Sequence, residues 1–466
     1  MRWSQAFTSR VIAFGIICFV LTGLPAHAQV SSDSVVYSFC DYSPTCSDGA
    51  FPYSGLTIDA VGNLYGTTYA GGGEGCGSIG CGSVFRLTPD GLSSTGFTEK
   101  VLHGFLSFAV DGALPEAAVT LDHAGNVYGT TWGGGNASSD CGVYGCGAVF
   151  ELTPNAKDEW TETILYNFCS TLNCKDGSGP AANLVFDTAG NLYGTTATGG
   201  ISGGKCPYGC GTVFELSPGA NGSWLENVLF RFSYDQGANP LAGLTFDSAG
   251  NLYGTTAQGG NYGIGTVFEL TLGSNGKWTE TVLHSFNTTD GRVPQSGVIF
   301  DASGNLYGTT FLGGTGPACL YTYGCGTVYE LSPGSNGDWN EQVLYSFCAK
   351  ANCVDGSNPW GGLVSNANGI MYGTTYQGGE YNAGILFKLT FDQTWTENLL
   401  YTFGTSNYDA LNPEAGSLIF DAKGNLYGTA EYGGRSSSCQ NLSSCGSVFV
   451  WNTRDEARRL PDSPER

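Results

Sequence analysis

Short apolar runs, each closed by glycine, asparagine, aspartate or proline, succeed one another along the chain with no stretch of helical period between them. One unit shows the pattern. "NLVFD" (Asn183 to Asp187) is an apolar run that ends in an Asp-x-x-Gly turn, and "NLYGTT" (Asn191 to Thr196) follows it. After a glycine-rich loop comes "GTVFELSP" (Gly211 to Pro218), then an Asn-Gly turn, then "WLENVLFRF" (Trp224 to Phe232). Four strands in up-and-down order are predicted.

The unit recurs. Its second run carries Tyr65, Tyr128, Tyr193, Tyr253, Tyr307, Tyr372 and Tyr427, so the chain holds seven copies, each roughly sixty residues long, a period at which repeat architectures are the first reading. A lone four-stranded sheet rich in Val, Leu, Tyr and Phe leaves both faces uncovered, and neighbouring units must supply the cover. Radial repetition does this while limiting exposed edges, which predicts an all-β, seven-bladed β-propeller of four-stranded antiparallel blades. A linear β-solenoid is the rival, but its coils lack this four-run meander. The chain also begins with a lone fourth-strand pattern, "SVVYSF" (Ser34 to Phe39), and ends with a third strand, "SVFVW" (Ser447 to Trp451). The amino-terminal strand should therefore complete the last blade and close the ring.

The remaining composition sets the compartment. Residues 1–28 read as a secretory signal: Arg2 and Arg10 precede an apolar run, and Ala26-His27-Ala28 is a cleavage signature. The propeller is expected over 29–451 and a charged, disordered tail over 452–466. Removing the leader takes Arg2 and Arg10 from a formal charge of −22, leaving −24. So acidic a surface excludes nucleic acid and anionic membrane as partners, because both require a basic footprint. No other stretch is long and apolar enough for membrane insertion, and a secreted monomer is expected. Of 17 cysteines, Cys18 falls in the leader and 16 remain. They pair locally as Cys40/Cys46, Cys76/Cys81, Cys141/Cys146, Cys169/Cys174, Cys206/Cys210, Cys319/Cys325, Cys348/Cys353 and Cys439/Cys445, and eight disulfides suit an exported chain. Zinc is the rival, weakened by the spacing and by the scarcity of histidine.

The order D-x-x-G-N-L-Y-G-T-T, G-T-V-F-E-L-T-P and W-x-E-x-V-L-Y-x-F resembles the GloVer tandem-repeat family of secreted bacterial proteins, over about residues 34 to 450. The sixth copy departs from it, reading "NANGIMYGTT" from Asn366. More distantly, P-x-x-G-L-x-x-D-x-x-G-N is similar to NHL-type and lactonase-type propeller repeats. The resemblance implies a propeller with the "GLTFD" strand innermost, and it implies export. A carboxy-terminal sorting anchor is frequent in the family, but no hydrophobic stretch follows Trp451, so surface attachment is not expected from these residues.

Candidate chemistry lies where copies differ. Asp59, Asp122, Asp187, Asp247, Asp301 and Asp421 cap repeated turns and read as scaffold. On the opposite face, with the cysteine loops, the residue after G-T-T varies as Tyr69, Trp132, Ala197, Ala257, Phe311, Tyr376 and, in the last copy, Glu431-Tyr432. The residue after the loop proline varies as Tyr53, Glu116, Ala181, Leu241, Gln295, Trp360 and Glu414. Tyr53, Tyr69, Trp132, Phe311, Trp360, Tyr376 and Tyr432 would form an aromatic crescent that binds a carbohydrate or a protein, or else they pack beneath the loops. A second series, Asp48, Asp111, Asp176, Asp235, Asp290, Asp355 and Asp409, precedes the loop prolines and would attract calcium if it formed a ring, though the turn reading is simpler. No H-E-x-x-H, G-x-S-x-G or P-loop appears, and His103 and His284 stand where other copies carry Tyr, as packing variants. The leading expectation is a non-catalytic binding propeller with no resident cofactor. The alternative is a carbohydrate-active or lactonase-like enzyme that uses acids near the channel mouth, with Glu116 and Glu414 as candidates.

Overall fold

The computed structural model describes residues 33–453, apart from 41–44, 74, 77–79, 92–95, 110, 136–140, 320–322, 407, 415 and 436–444. The leader, most of the charged tail and Cys439 lie outside the described residues. Seven four-stranded antiparallel sheets succeed one another as the blades of a propeller. In the third blade, Val185–Phe186, Leu192–Thr196, Thr212–Pro218 and Trp224–Arg231 pair in sequence order. The last blade consists of Ile419–Phe420, Asn425–Ala430 and Ser447–Asn452, with Asp33–Ser38 from the other end of the chain as its outermost strand. Each innermost strand spans only two residues, fewer than the run Asn183 to Asp187 predicts. The carbonyls of Ala182 and Leu184 are taken by Thr130 and Thr120 of the preceding blade, and Asp187 already belongs to the turn.

Why the motif repeats is visible residue by residue in the third copy. Asp187 Oδ1 accepts the backbone N–H groups of Ala189 (2.8 Å) and Asn191 (2.9 Å), and Asn191 Nδ2 donates to Oδ2 at 2.8 Å. Leu192 is fully buried, and the Tyr193 hydroxyl donates to Glu215, its cross-strand partner, at 3.1 Å. Gly194 lies beneath the ring of Phe214, so closely that a Cβ there would sit 2.6 Å from Cζ. Thr195 donates to the Ala242 carbonyl of the next blade, and Thr196 to the Thr198 carbonyl of its own loop. In the sixth copy Asn366 accepts the same two backbone donors, from Asn368 and Ile370, so the loss of the aspartate leaves the turn intact. The motif is scaffold.

Apolar burial is concentrated between blades. Seven clusters, one at each seam, join the second, third and fourth strands of one blade to the inner three of the next. At every seam the terminal aromatic of an outer strand meets the third-strand aromatic of the following blade edge-on, as Phe168 does Phe214 at 5.0 Å. The closing seam has the same pair: Phe39 meets Phe85 at 5.0 Å. A bulge at each outer strand, between Val213 and Phe214 in the third blade, leaves Leu229 unpaired and turns its side chain inward.

Above each blade the loop before the proline pairs with the segment after G-T-T, as Ser178 with Thr198 and Gly112–Ala113 with Gly133–Gly134. Tyrosines of the outer strands donate to the loop aspartates, Tyr166 to Asp176 at 2.9 Å and Tyr345 to Asp355 at 2.7 Å. Asp235 does not join this row. It is exposed, and Gln236 takes the place four residues before the proline, where its side-chain amide donates to Glu280 at 3.0 Å; the outer strand carries Phe230 at the tyrosine position. Disulfides close Cys40–Cys46, Cys76–Cys81, Cys141–Cys146, Cys169–Cys174, Cys206–Cys210, Cys319–Cys325 and Cys348–Cys353. Cys445 is also oxidised. Among the described residues no helix is long and apolar enough to cross a membrane.

Candidate functional site

Each loop proline delivers one side chain to the mouth of the central channel. Tyr53, Glu116, Ala181, Leu241, Gln295, Trp360 and Glu414, one from each unit, line a cavity of about 180 Å³. Beneath it a channel of about 250 Å³ runs between the innermost strands, and Glu116 borders both. The ladder above each blade places the variable residue after G-T-T beside this ring. Phe311 meets Trp360 at 4.8 Å and Trp360 meets Tyr376 at 5.6 Å, all half-buried. A second arc runs Tyr432, Phe51, Tyr53, Tyr69, with centroids 6.0, 6.4 and 4.8 Å apart.

Glu431 joins the two arcs. It takes the place held by Tyr69 or Tyr376 in other copies, is buried, and accepts the Tyr376 hydroxyl at 2.9 Å and the Tyr53 hydroxyl at 3.3 Å. The crescent thus spans units five, six, seven and one. Trp132 stands apart. It covers Gly179 and lines a separate depression of about 700 Å³ with Tyr144 and Tyr208, among the cysteine loops of the second and third units. The alanines Ala197 and Ala257 are buried and shape neither surface.

Burial at the mouth perturbs its acids. Glu414 is pushed up to about 9, by burial first and then by the neighbouring Glu431 and Glu116. Burial raises Glu116 to about 7. The Tyr53 and Tyr376 phenols are also raised, chiefly by burial and then by Glu431. Among the described residues, Glu414 Oε2 and Gln295 Oε1 are buried without a hydrogen-bond partner. The mouth therefore offers aromatic faces and edges, open acceptors, and a carboxylic acid that keeps its proton at neutral pH.

The same shifts recur at the seams, where burial raises Glu99, Glu226, Glu280 and Glu341 to about 7. A folded-state value above the ordinary 4.5 means that the native form holds a proton the unfolded chain has released. The stability that these acids contribute is present below pH 4.5 and is lost as pH rises to about 7, and to about 9 for Glu414. The melting temperature should therefore fall between pH 5 and pH 9, and Glu414→Gln should flatten the upper part of that fall. An unchanged slope in this variant would contradict the assignment.

The family model described as the Gloeobacter/Verrucomicrobia repeat matches residues 28–205, 80–321 and 320–460. The chain belongs to the Gloeobacter/Verrucomicrobia repeat family. Comparison with curated proteins finds no match. Among solved structures, the chain is similar to a crystal structure described as a "putative 6-phosphogluconolactonase" from Bacteroides uniformis ATCC 8492, with 13% identity, a TM-score of 0.44, and coverage of 75% of this chain and 84% of that one. A likeness at that level carries no argument here. Within the chain, the mouth residues differ from copy to copy. Two of them do not follow from aromatic counting. Phe51 precedes its proline, and Glu431 interrupts an aromatic series, which is its only signal in the sequence.

Proposed function

We propose that the channel mouth binds a neutral polyhydroxylated ring, a sugar unit, on an exported protein. The supporting observation is the junction at Glu431. Two aromatic arcs present C–H-binding surfaces on either side of a carboxylate that accepts hydroxyl donors, with a neutral Glu414 beside it to donate one. Multiple disulfides in a chain with this family's repeat support an extracytoplasmic setting.

A glycan array of the chain from residue 29, with and without calcium, tests the reading. Trp360→Ala should weaken the best glycan about 30-fold, the scale of losing a central aromatic anchor. Trp132→Ala, outside the mouth, should leave that affinity unchanged. Equal affinities for wild type and Trp360→Ala would overturn the proposal, as would retention of no glycan at all, which would favour a protein ligand.

A second reading rests on a specific observation: three acids that break the repeat, Glu116, Glu414 and Glu431, converge at one mouth. A protonated Glu414 next to Glu431 is the arrangement that acid-catalysed glycoside cleavage requires. Turnover of a chromogenic glycoside that disappears in Glu414→Gln would establish it, and binding without turnover would exclude it for that glycoside.

A further inference from the structure

We infer that the chain carries two divalent transition-metal sites, one between blades one and two and one between blades four and five, each formed by a histidine, an aspartate and a glutamate. At the seams where the outer strand ends in tyrosine, the phenol donates to the loop aspartate and the contact is complete. At these two seams histidine stands instead. His103 Nε2 keeps a hydrogen bond to Asp111 Oδ2 at 3.3 Å and also lies 3.7 Å from Glu162 Oε2. His284 Nε2 lies 3.3 Å from Asp290 Oδ2, with Glu341 completing the trio. In each trio one nitrogen and two carboxylate oxygens lie within 4.8 Å of one another. Metal–ligand bonds of roughly 2.0–2.2 Å in tetrahedral array place donor atoms roughly 3.4 Å apart, so only a small adjustment is needed.

Three further observations point to a ligand rather than to packing alone. Among the described residues, Glu162 Oε1 and Glu341 Oε1 are buried without a hydrogen-bond partner, as is the same oxygen of Glu99, Glu226, Glu280 and Glu397 at the other seams, but only at these two does a ring nitrogen lie beside the glutamate. The surroundings are built: His103 and His284 side chains are 19% exposed, and Asp111 and Asp290 are 5% and 11% exposed. Asp111 also accepts backbone N–H groups of Leu106 and Ser107, and Asp290 accepts the backbone N–H of Asn287 at Oδ1 and its side-chain amide at Oδ2, which is the outer support that ligating carboxylates have. Phe105 and Phe286 hold the imidazoles edge-on at 4.9 Å. Finally, neither glutamate is met by a cation. At the seam between blades five and six the corresponding Glu397 is met by Lys350 at 2.9 Å, whereas among the described residues the charged groups acting on Glu162 and Glu341 are the histidine and the aspartate of their own trio. An imidazole nitrogen and two carboxylate oxygens form a mixed donor set that suits zinc better than calcium. The donors come from consecutive blades, so the ion would clamp each pair of sheets and leave a coordination position for water.

Zinc content tests this directly. The disulfide-intact chain, stripped with chelator, reloaded with zinc chloride in the presence of excess calcium and passed over a desalting column, should retain two equivalents of zinc. His103→Tyr and His284→Tyr restore the residue that four other seams carry and should preserve the fold by circular dichroism. Each single variant should lose one equivalent, and the double variant should lose both together with the zinc-dependent rise in melting temperature. The proposal fails for either seam whose single variant keeps the wild-type zinc content, and fails altogether if wild type and double variant bind equally.

Discussion

Deleting residues 29–39 should abolish cooperative folding of the ring or lower its melting temperature by well over 10 °C. The segment supplies the outer strand of the last blade, paired from Asp33 opposite Trp451 to Ser38 opposite Ser447. It also inserts Val36 and the fully buried Phe39 into the cluster shared with the first blade. Without it the last sheet presents an open edge and the first blade loses cover on one face. Phe39→Ala alone should cost about 3–5 kcal/mol, the range for a phenylalanine removed from a packed core. Chemical unfolding of the deletion and the point variant beside the intact chain measures both. A truncated chain that unfolds at the same denaturant concentration with the same slope would show that the strand is an accessory.

The second large effect is expected from a single methyl group. Gly194→Ala places a Cβ 2.6 Å from Phe214 Cζ on the adjacent strand, and Leu184 closes the space on the other side at 2.9 Å. Neither neighbour has room to move, because Phe214 is fully buried and packed edge-on against Phe168 of the preceding blade. Overpacking of this kind costs about 1–3 kcal/mol, so the unfolding midpoint should fall measurably. Phe214→Leu in the same chain should recover part of the loss by removing the ring that collides. If Gly194→Ala is neutral, the account of why glycine stands in every Y-G-T is wrong.

How far the sequence carries these points depends on what the repeat reports. Recurrence fixes what the copies share: the four strands, the turn before the second strand with Asp in all but the sixth copy, and the unmatched strand at each end of the chain. These are packing constraints imposed at every blade, and they were legible because seven copies state them independently. The lengths of the innermost strands were not, since Leu184 and Ala182 are committed to the neighbouring blade and the apolar pattern does not say which partner a carbonyl will choose. The place of Asp235 was misread because it stands five residues before its proline where the other aspartates stand four, and the tyrosine that would have marked the slip is replaced by Phe230. Variation reports the site less completely. Tyr53, Phe311, Trp360, Tyr376 and Tyr432 do come together at the mouth, with Tyr69 at the end of one arc. Trp132, indistinguishable from them in the sequence, turns to another depression because it lies over Gly179. Glu431, which joins the arcs, is a carboxylate in an aromatic series, and only its two tyrosine partners reveal why.

The propeller account rests above all on closure by the two ends of the chain, and hydrogen exchange of the amides between residues 33 and 39 tests it most directly. In a closed ring these amides bond into the sheet of the last blade, and they should exchange about as slowly as those of the corresponding outer strand Trp224–Arg231. Exchange of the segment at the rate of an unstructured peptide, while Trp224–Arg231 stays protected, would contradict it.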